Sequence, residues 1–305
     1  MKKILILGAG GQLGKELGEL AINSNRNRNQ EFDVVAYDRK ALDITDANAV
    51  LYAIQNDRPD CVINAAAYTA VDKAESDTEN AFLINEVGAR NIAEACLAEN
   101  ARLIHISTDY VFNGKKDSPY NESDEVDPQS VYGLSKYKGE QAVRDVLPNH
   151  IILRVSWVFG FHGNNFVKSI LRLARERDEL NIVADQLGCP TSTVNIANVI
   201  LQMVPQICDE SFKEKRFGTY HYCDAPETTW FGFASAIVEA ARKTEDLKVK
   251  QIIPIMTHEY PTPAKRPVNS RLDTSLIEKT FSIKRAEWRP ELDALIQKLT
   301  SGNKA

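Results

Sequence analysis

The sequence contains few cysteines and none of the spacings that usually pair them. Five occur in 305 residues, widely separated and without a CxxC pair. Such a pattern argues against a disulfide framework. Because the cysteines sit mostly within apolar runs, we expect buried free thiols at all five positions: Cys61, Cys96, Cys189, Cys208 and Cys223.

The chain also lacks an excess of positive charge. Lysine and arginine number 37 against 42 aspartates and glutamates, which gives a net charge of -5 and a pI of about 5.7. Proteins that bind nucleic acid or anionic membranes usually carry a basic field. Neither partner is therefore expected.

Long apolar runs are missing as well. The N-terminal run in MKKILILGAGG is too short for a signal peptide or a membrane span and breaks at once into glycines, which predicts a cytoplasmic protein. Hydrophobic residues still make up 43% of the chain. That content is ample for the core of one large domain or two modest ones.

Short apolar runs alternate with longer amphipathic stretches over roughly the first half of the chain. KILILG, DVVAYD, DCVINAAA, RLIHISTD and HIILRVSWVFG alternate with segments such as LGKELGELAINS and ANAVLYAIQND. This alternation is typical of βαβ units and of a parallel sheet covered on both faces. The polar segment INSNRNRNQEFD is interpreted as a solvated loop. The sequence thus predicts an α/β, doubly wound fold.

The alternation becomes looser after about residue 160. The sequence predicts a helix over NNFVKSILRLARERDEL, a loop at VADQLGCPTS, a helix from about Thr193, a strand at GTYHYCD, a helix over TTWFGFASAIVEAARKT and a last helical segment. We therefore expect a dinucleotide-binding domain formed by residues 1–160 and about 191–224. A smaller, discontinuous lobe for substrate would comprise about 161–190 and 225–305.

A glycine turn follows the first predicted strand, in ILILGAGGQLGKEL. Gly8, Gly11 and Gly14 fit a GxxGxxG spacing, whereas the GxGxxG pattern fails because position 13 is leucine. Glycines let the backbone bend tightly and approach a pyrophosphate at a helix N-terminus. Such a turn can also be merely structural, but its place after the first strand of a βαβ pattern favours a dinucleotide. The predicted contacts in the turn are completed by Gly10, Gln12 and Leu13.

Further cofactor contacts are predicted where the next strands end. Asp38 is placed to accept from an adenosine ribose hydroxyl, which favours NAD, whereas Arg39 could face the 2'-phosphate of NADP. Both could instead be an ordinary charged strand end. Candidate contacts to the adenine are Asp43 and Ile44. Small residues at the end of the third strand would leave room for the cofactor to cross, and the predicted set there is Ala65, Ala66, Ala67 and the following Tyr68.

The segment VYGLSKYKGE places Tyr132 and Lys136 one helical turn apart on the same face. A free tyrosine has a pKa of about 10, and a neighbouring ammonium would favour the phenolate and lower that pKa. The pair could then pass a proton to a carbonyl oxygen. By itself, YxxxK also fits a surface pair. Thr108 strengthens the catalytic interpretation, because its hydroxyl ends the strand of LIHISTDYVF, where α/β sites form.

Together these motifs resemble the extended short-chain dehydrogenase/reductase family and, within it, the dTDP-4-dehydrorhamnose reductases. The resemblance covers essentially the whole chain, in GAGGQLGKEL, VINAAAYTAVDKAE, HISTDYVFNG, VYGLSKYKGE, LRVSWVFGFHGNNFV, VADQLGCPTS and RPVNSRLD. It implies a Rossmann fold and reduction of the 4-keto group of dTDP-4-dehydro-L-rhamnose by NADPH or NADH. In this family's pattern Tyr132 would donate the proton, Lys136 would anchor ribose, and Thr108 would polarise the keto oxygen.

The resemblance also implies contacts to the nucleotide sugar. Trp157 would give a flat face for the sugar ring, although such a residue is more often in the core, and Asp109 and Tyr110 could bind its hydroxyls. Arg266 and Arg271 could bind the diphosphate, because arginine suits phosphate groups, but they could equally lie on a solvated face. Three asparagines could contact the ligand or cap helices: Asn85, Asn164 and Asn165.

One feature departs from the family. Some members are magnesium-linked dimers held by glutamates, and Glu16 could match the first of these. The segment TVNIANV, which follows DQLGCPTS, has no acidic residue. The prediction is therefore no metal site, and a monomer or a weak homodimer.

Two other functions fit part of the pattern. The regulatory beta subunit of methionine adenosyltransferase resembles the same family and binds nucleotide without catalysis, but Thr108, Tyr132 and Lys136 are intact here. A nucleotide-sugar epimerase or 4,6-dehydratase would share the fold. A dehydratase would need an added acid pair, and STDYVF supplies Asp109 without a following glutamate.

Overall fold

The computed structural model describes residues 1–26 and 32–301. Its centre is a six-stranded sheet in which every neighbouring pair of strands is parallel. From one edge of the sheet to the other, the strands are β10 (Gly218–Tyr222), β5 (His150–Val155), β4 (Arg102–Thr108), β3 (Cys61–Asn64), β1 (Lys2–Leu7) and β2 (Phe32–Tyr37).

Helices cover both faces of this sheet. Five of these helices are long. Two short helices and a π-helical turn at Leu83–Val87 come just before the long helix at Gly88–Ala98. The long helices are α1 (Gln12–Arg26), α2 (Ala47–Asp57), α5 (Gly88–Ala98), α6 (Val131–Val146) and α8 (Thr193–Ile207), and the short ones are α3 (Val71–Ala74) and α4 (Thr78–Phe82).

Each face of the sheet has its own apolar core. One core joins α1 and α8 to the sheet, with Leu17 and Ile200 fully buried. The opposite core joins α2, α5 and α6, with Ile54, Ile92 and Val143 fully buried. Burial on both faces explains why the strands are continuous apolar runs rather than alternating ones.

A second unit is built around α7 (Phe166–Glu176), α9 (Trp230–Arg242) and α11 (Trp288–Ser301). These helices share a core that contains Ile170, Phe233 and Trp288. The remaining β-strands and α-helix are β6 (Val158–Phe159), β7 (Glu179–Val183), β8 (Leu187–Gly188), β9 (Thr191–Ser192), β11 (Thr228–Thr229), β12 (Gln251–Ile255) and α10 (Ser275–Phe281).

Several predicted elements differ from the structure. The helix predicted through RDEL ends at Glu176, and Glu179–Val183 forms a strand that pairs in parallel with an unpredicted strand at Gln251–Ile255. The predicted loop VADQLGCPTS contains β8 and β9, and the last helical segment is two helices. The first residues of the predicted loop INSNRNRNQEFD are helical as far as Arg26, while residues 27–31 lie outside the described part.

The cysteine prediction is confirmed. All five cysteines are buried and free.

Candidate functional site

A cavity of about 840 Å³ lies at the carboxyl ends of β1, β2, β3 and β4 and extends to the second unit. Parallel strands gather their following loops at one edge of a sheet, so ligands bind there. The predicted residues that line the cavity are Gly8, Gly10, Gly11, Gln12, Leu13, Asp38, Arg39, Asp43, Ile44, Ala65, Ala66, Ala67, Thr108, Asp109, Tyr110, Tyr132, Lys136, Trp157 and Asn164.

The glycine turn connects β1 to α1 in a conformation that requires glycine. Gly8 has φ +81°, and a Cβ there would lie 2.5 Å from the backbone nitrogen of Ala66. A Cβ on Gly14 would collide with the Gly8 carbonyl oxygen. The backbone can therefore come close to a ligand only because these side chains are absent. This open cradle fits a dinucleotide pyrophosphate.

The carboxylate of Asp38 is partly used by its own turn. Its Oδ1 accepts hydrogen bonds of 2.9 Å from the backbone N–H groups of Lys40 and Ala41. The side chains of Arg39 and Lys40 line the cavity beside it. Lys40 was not predicted, although it follows the predicted pair directly.

Thr108 ends β4, and Tyr132 and Lys136 lie on the first turns of α6. Ser130 caps this helix by accepting a hydrogen bond of 3.1 Å from the N–H of Gly133. Capping fixes the start of the helix and thereby the direction of both catalytic candidates. The Tyr132 ring also meets the Tyr110 ring edge-on, with centroids 5.5 Å apart.

Burial controls the ionisation of this pair. It raises the pKa of Tyr132 to about 12, and a hydrogen bond with Thr108 opposes this rise. It lowers the pKa of Lys136 to about 8, against the opposing charge of Glu140. The expected lowering of the phenol pKa by Lys136 is thus wrong for this structure, because desolvation of the phenolate outweighs any help from the ammonium.

An ion-pair network that the sequence did not reveal lies under α6. The fully buried Glu140 accepts hydrogen bonds from Ser107 at 2.6 Å, from Arg154 at 2.8 and 2.6 Å and from Arg144 at 2.7 Å. These partners hold the pKa of Glu140 at about 2 despite its burial. The network fixes α6 against β4 and β5.

Asp109 has a buried carboxylate oxygen without a partner. Its Oδ1 accepts a hydrogen bond of 3.1 Å from the hydroxyl of Thr108, and its Oδ2 has none in the described structure. Burial raises the pKa of Asp109 to about 6, although the nearby hydroxyls of Ser270 and Thr108 oppose this rise. An unsatisfied buried acceptor that lines a cavity is suited to a ligand hydroxyl.

Trp157 adopts a left-handed backbone conformation, with φ +46°. Its ring stacks on that of Trp230, with centroids 3.6 Å apart and 10° between the planes. Trp230 also lines the cavity and donates from Nε1 to Gln186 at 3.1 Å. The sequence interpretation missed Trp230, because the first aromatic of an amphipathic helix reads as a core residue.

Six predicted positions lie outside the cavity lining. Gly14 packs against the turn itself. Asn85 uses its amide to hold Tyr68 and Ser135. Asn165 caps α7, and Arg266 forms a bidentate pair with Asp72, with both bonds 2.9 Å long. Arg271 donates to Oδ1 of Asn269 at 2.9 Å. The six positions are Gly14, Tyr68, Asn85, Asn165, Arg266 and Arg271.

A family model described as the RmlD substrate binding domain matches residues 1–301. The chain belongs to this family. A dTDP-4-dehydrorhamnose reductase from Aggregatibacter actinomycetemcomitans is 43% identical over 294 residues, which cover 96% of this chain and 97% of the relative. The predicted resemblance to the dTDP-4-dehydrorhamnose reductase family is confirmed.

Solved structures of RmlD-family proteins have the same architecture. A dTDP-4-dehydrorhamnose reductase from Clostridium acetobutylicum gives a TM-score of 0.87 at 39% identity and covers 97% of this chain and 99% of its own. A dTDP-4-dehydrorhamnose reductase from Bacillus anthracis, solved in complex with NADP, gives a TM-score of 0.87 at 37% identity with the same coverage. The predicted doubly wound α/β fold is confirmed.

The described residues of this RmlD-family chain contain neither a cluster of metal ligands nor a membrane-spanning helix. Within residues 1–26 and 32–301, no group of three or more histidines, cysteines, aspartates or glutamates could hold a metal ion. Glu16 instead accepts a hydrogen bond of 3.1 Å from the hydroxyl of Thr193. No helix in the same residues is long and apolar enough to cross a membrane.

Proposed function

We propose that this protein reduces the 4-keto group of dTDP-4-dehydro-L-rhamnose to give dTDP-L-rhamnose, the last step of dTDP-rhamnose biosynthesis, with NADPH or NADH. The observation that carries the proposal is the meeting of Thr108, Tyr132 and Lys136 in the cavity that begins at the glycine turn. A reduced nicotinamide, when bound, supplies a hydride. The protein must then hold the sugar, donate one proton and exclude water.

Proton donation is assigned to Tyr132. Its pKa of about 12 keeps the phenol protonated at neutral pH, so an acid is available when negative charge develops on O4. Thr108 would donate to the same oxygen once its hydroxyl turns away from the Asp109 carboxylate, to which it donates here. Lys136 faces the cavity from one turn further along α6 and would bind ribose and steady the developing phenolate.

The sugar is assigned to the end of the cavity that contains Asp109, Tyr110 and the tryptophan pair. The partnerless Oδ2 of Asp109 is an acceptor for a sugar hydroxyl. Trp157 and Trp230 each cover one face of the other, so the sugar ring would contact the surface of this stacked pair that lines the cavity. We propose that residues 1–160 and about 191–224 bind the cofactor, and that residues of about 161–190 and 225–305 bind the nucleotide sugar. We also propose that the enzyme is cytoplasmic and is a monomer or a weak homodimer.

The positions outside the lining need a different explanation of their roles. Asn85 supports the cofactor site by holding Tyr68, while Gly14 allows the turn to close. Asn165 bonds Gln12 at 2.7 Å and so connects α7 to the glycine turn. Arg266 would reach a diphosphate only after exchanging its partner Asp72.

The test is the loss of nicotinamide absorbance when the purified protein meets dTDP-4-dehydrorhamnose, with NADPH and NADH run in parallel. Tyr132→Phe should lower turnover about 10²- to 10⁴-fold and leave NADPH binding intact. Tyr137→Phe, on the same helix but outside the cavity lining, serves as the matched control and should remain active. Near-native turnover by Tyr132→Phe would refute the assignment. Cofactor binding without oxidation by the wild type would favour a regulatory subunit, and tightly retained NAD would favour an epimerase.

A further inference from the structure

The indole of Trp230 contacts both the cavity and the protein interior. The residue lines the cavity, and its Nε1 donates a hydrogen bond of 3.1 Å to Oε1 of Gln186. Gln186 is only 3% exposed and does not line the cavity itself. This buried amide therefore holds a ring of the proposed sugar site from behind the cavity wall.

The orientation of the Gln186 amide is determined by its partners. An indole N–H can only donate, so it must face the amide oxygen rather than the amide nitrogen. The amide nitrogen, Nε2, then lies 3.1 Å from Oγ1 of Thr257 and donates to it. The bonds to Trp230 and to Thr257 thus require the same orientation of the amide.

Thr257 is held in turn by the carboxylate of Asp185. Its hydroxyl donates to Oδ1 of Asp185 at 2.6 Å, and its backbone N–H donates to Oδ1 and Oδ2 at 3.0 and 3.1 Å. Burial opposes ionisation of Asp185, but the hydrogen bonds from Thr257 outweigh burial and hold the pKa of Asp185 below its ordinary value. An ionised carboxylate only accepts. Every hydrogen bond from Trp230 through Gln186 and Thr257 to Asp185 therefore has one possible direction.

Paired strands anchor this chain of hydrogen bonds. Asp185 and Gln186 lie between β7 and β8, and Thr257 follows β12. β7 pairs with β12, and β8 pairs with β11, whose residue Thr229 caps the helix that Trp230 begins. The strand pairs thereby fix Gln186 relative to the first turn of α9.

The same segment also lies against the partner ring. Gly188 comes two residues after Gln186, and a Cβ at Gly188 would lie 2.2 Å from Cε2 of Trp157. The Trp157 ring is stacked on the Trp230 ring with 10° between their planes. One short segment of the second unit therefore supports both members of the stacked pair.

The hydrogen bond to Gln186 adds a restraint that stacking does not provide. Apolar contacts are non-directional, so a stacked ring can still turn within its own plane. A hydrogen bond weakens steeply as it departs from linearity. The bond from Nε1 of Trp230 to Gln186 therefore fixes the rotation of the indole in that plane.

We propose that Gln186 is a positioning residue for the nucleotide sugar, which holds the Trp230 indole in one orientation and so prepares the cavity surface of the stacked pair for the sugar ring. The inference rests on the proposed reductase activity and on the sugar lying at the tryptophan end of the cavity. A site that is ordered before binding loses less conformational freedom when its ligand arrives. Because Gln186 acts from outside the cavity, its effect should be confined to binding of the sugar.

Gln186→Met removes the acceptor and keeps the length of the side chain. KM for the nucleotide sugar should rise about three- to tenfold, with kcat and NADPH binding nearly unchanged, because only ground-state binding is lost. Gln186→Glu keeps an oxygen for the indole and should restore KM to within about twofold of the wild-type value. Gln206→Met is the matched control. Its amide donates to the carbonyls of Gln202 and Phe281, outside the cavity lining, so KM should not change.

The position of the ring can be followed without substrate. The chain has three tryptophans, so ¹⁵N-labelled protein should give three indole N–H resonances, and the one missing from Trp230→Phe belongs to Trp230. Loss of its acceptor in Gln186→Met should move this proton resonance upfield and speed its exchange with solvent. The Trp288 proton, which is donated to the carbonyl of Pro226 at 2.8 Å, should not move.

A double-mutant cycle separates positioning from a merely structural role. Phenylalanine has no N–H, so in the Trp230→Phe background Gln186→Met should have no further effect on KM. Multiplying effects of the two substitutions would show that Gln186 acts independently of the ring and would overturn the inference. An unchanged KM in Gln186→Met, or a Trp230 resonance that does not move, would overturn it as well.

The wild type provides a measurement that does not need a folded variant at Gln186. The Trp230 indole proton should exchange slowly with solvent, as a buried hydrogen bond requires, and fast exchange would overturn the inference. A wild type that does not oxidise NADPH with the keto sugar would refute the proposed function. An active wild type whose KM is unaffected by Gln186→Met would refute this inference alone.

Discussion

Trp157 and Trp230 stack face to face at the sugar end of the cavity, with ring centroids 3.6 Å apart. Trp157 follows the end of β5, and Trp230 begins α9 in the second unit. Phe166 packs against Trp230 with centroids 4.5 Å apart. The two units therefore meet through aromatic rings at the place proposed for the sugar.

Replacing either ring should weaken binding of the nucleotide sugar. Trp157→Phe and Trp230→Phe each lose stacking area, so KM for the sugar should rise about three- to tenfold with NADPH binding unchanged. The control is Trp288→Phe. Trp288 is fully buried away from the cavity and donates to the carbonyl of Pro226 at 2.8 Å, so its loss should lower the unfolding temperature without altering KM. An unchanged KM in both cavity variants would exclude the rings from sugar binding.

Two glycines on α1 should respond oppositely to alanine. At Gly18 a Cβ meets nothing within 4 Å, so Gly18→Ala should raise the free energy of unfolding by about 0.5–1 kcal/mol. At Gly14 a Cβ would strike the Gly8 carbonyl, so Gly14→Ala should lower it by about 1–3 kcal/mol and weaken NADPH binding. Urea unfolding and a fluorescence titration with NADPH would measure both. Equal effects at the two positions would contradict a closely packed turn.

The sheet and the glycine turn were predictable because both depend on local sequence. Apolar runs buried on two faces mark the strands, and Gly8 has a backbone angle that few other residues adopt. The strand at Glu179–Val183 was not predictable in the same way, because its residues continue the periodicity of α7. It becomes a strand by pairing with Gln251–Ile255, far away in the chain.

Within the site, the sequence predicted the residues that belong to a motif. It did not predict the residues that contact those motif residues from elsewhere in the fold. Tyr132 and Lys136 are a helical turn apart, so spacing alone places them on one face. His105 on β4 lies 3.5 Å from Nζ of Lys136, and Glu140 accepts hydrogen bonds from Ser107 on β4 and Arg154 on β5. Both residues lie within an ordinary apolar or helical pattern, so their contacts with other elements could not be read from the sequence. Arg266 was interpreted as a phosphate ligand because its partner Asp72 is distant in sequence.

Arg39 should distinguish NADPH from NADH. Asp38 already accepts two backbone hydrogen bonds, whereas Arg39 lines the cavity and its positive charge contributes to the lowered pKa of Asp43, which lines the same cavity. A 2'-phosphate would gain a charge-assisted bond there. Arg39→Ala should therefore raise KM for NADPH about tenfold or more and leave KM for NADH nearly unchanged. NADH is the internal control, and equal losses with both cofactors would place Arg39 elsewhere.

The buried carboxylate of Asp109 should lower the free energy of unfolding at neutral pH and bind the nucleotide sugar. Burial raises its pKa from 3.8 to about 6. At pH values between these two pKa values, the folded protein therefore binds more protons than the unfolded chain. Stability must then fall as pH rises through this window, and the full penalty applies above it. The shift corresponds to a penalty on the order of 2–3 kcal/mol.

Asp109→Asn removes that charge and should raise the free energy of unfolding at pH 7.5, with little effect at pH 4, where the wild-type carboxyl is largely protonated. KM for the nucleotide sugar should rise about tenfold, since a hydrogen bond to a charged acceptor becomes a neutral one. The control is Asp145→Asn, at an exposed position of α6, which should change neither quantity. Urea unfolding at the two pH values would measure the stability. A variant less stable than the wild type at pH 7.5 would show that the Asp109 carboxylate has a stabilising partner, and the sugar hydroxyl would then need another acceptor.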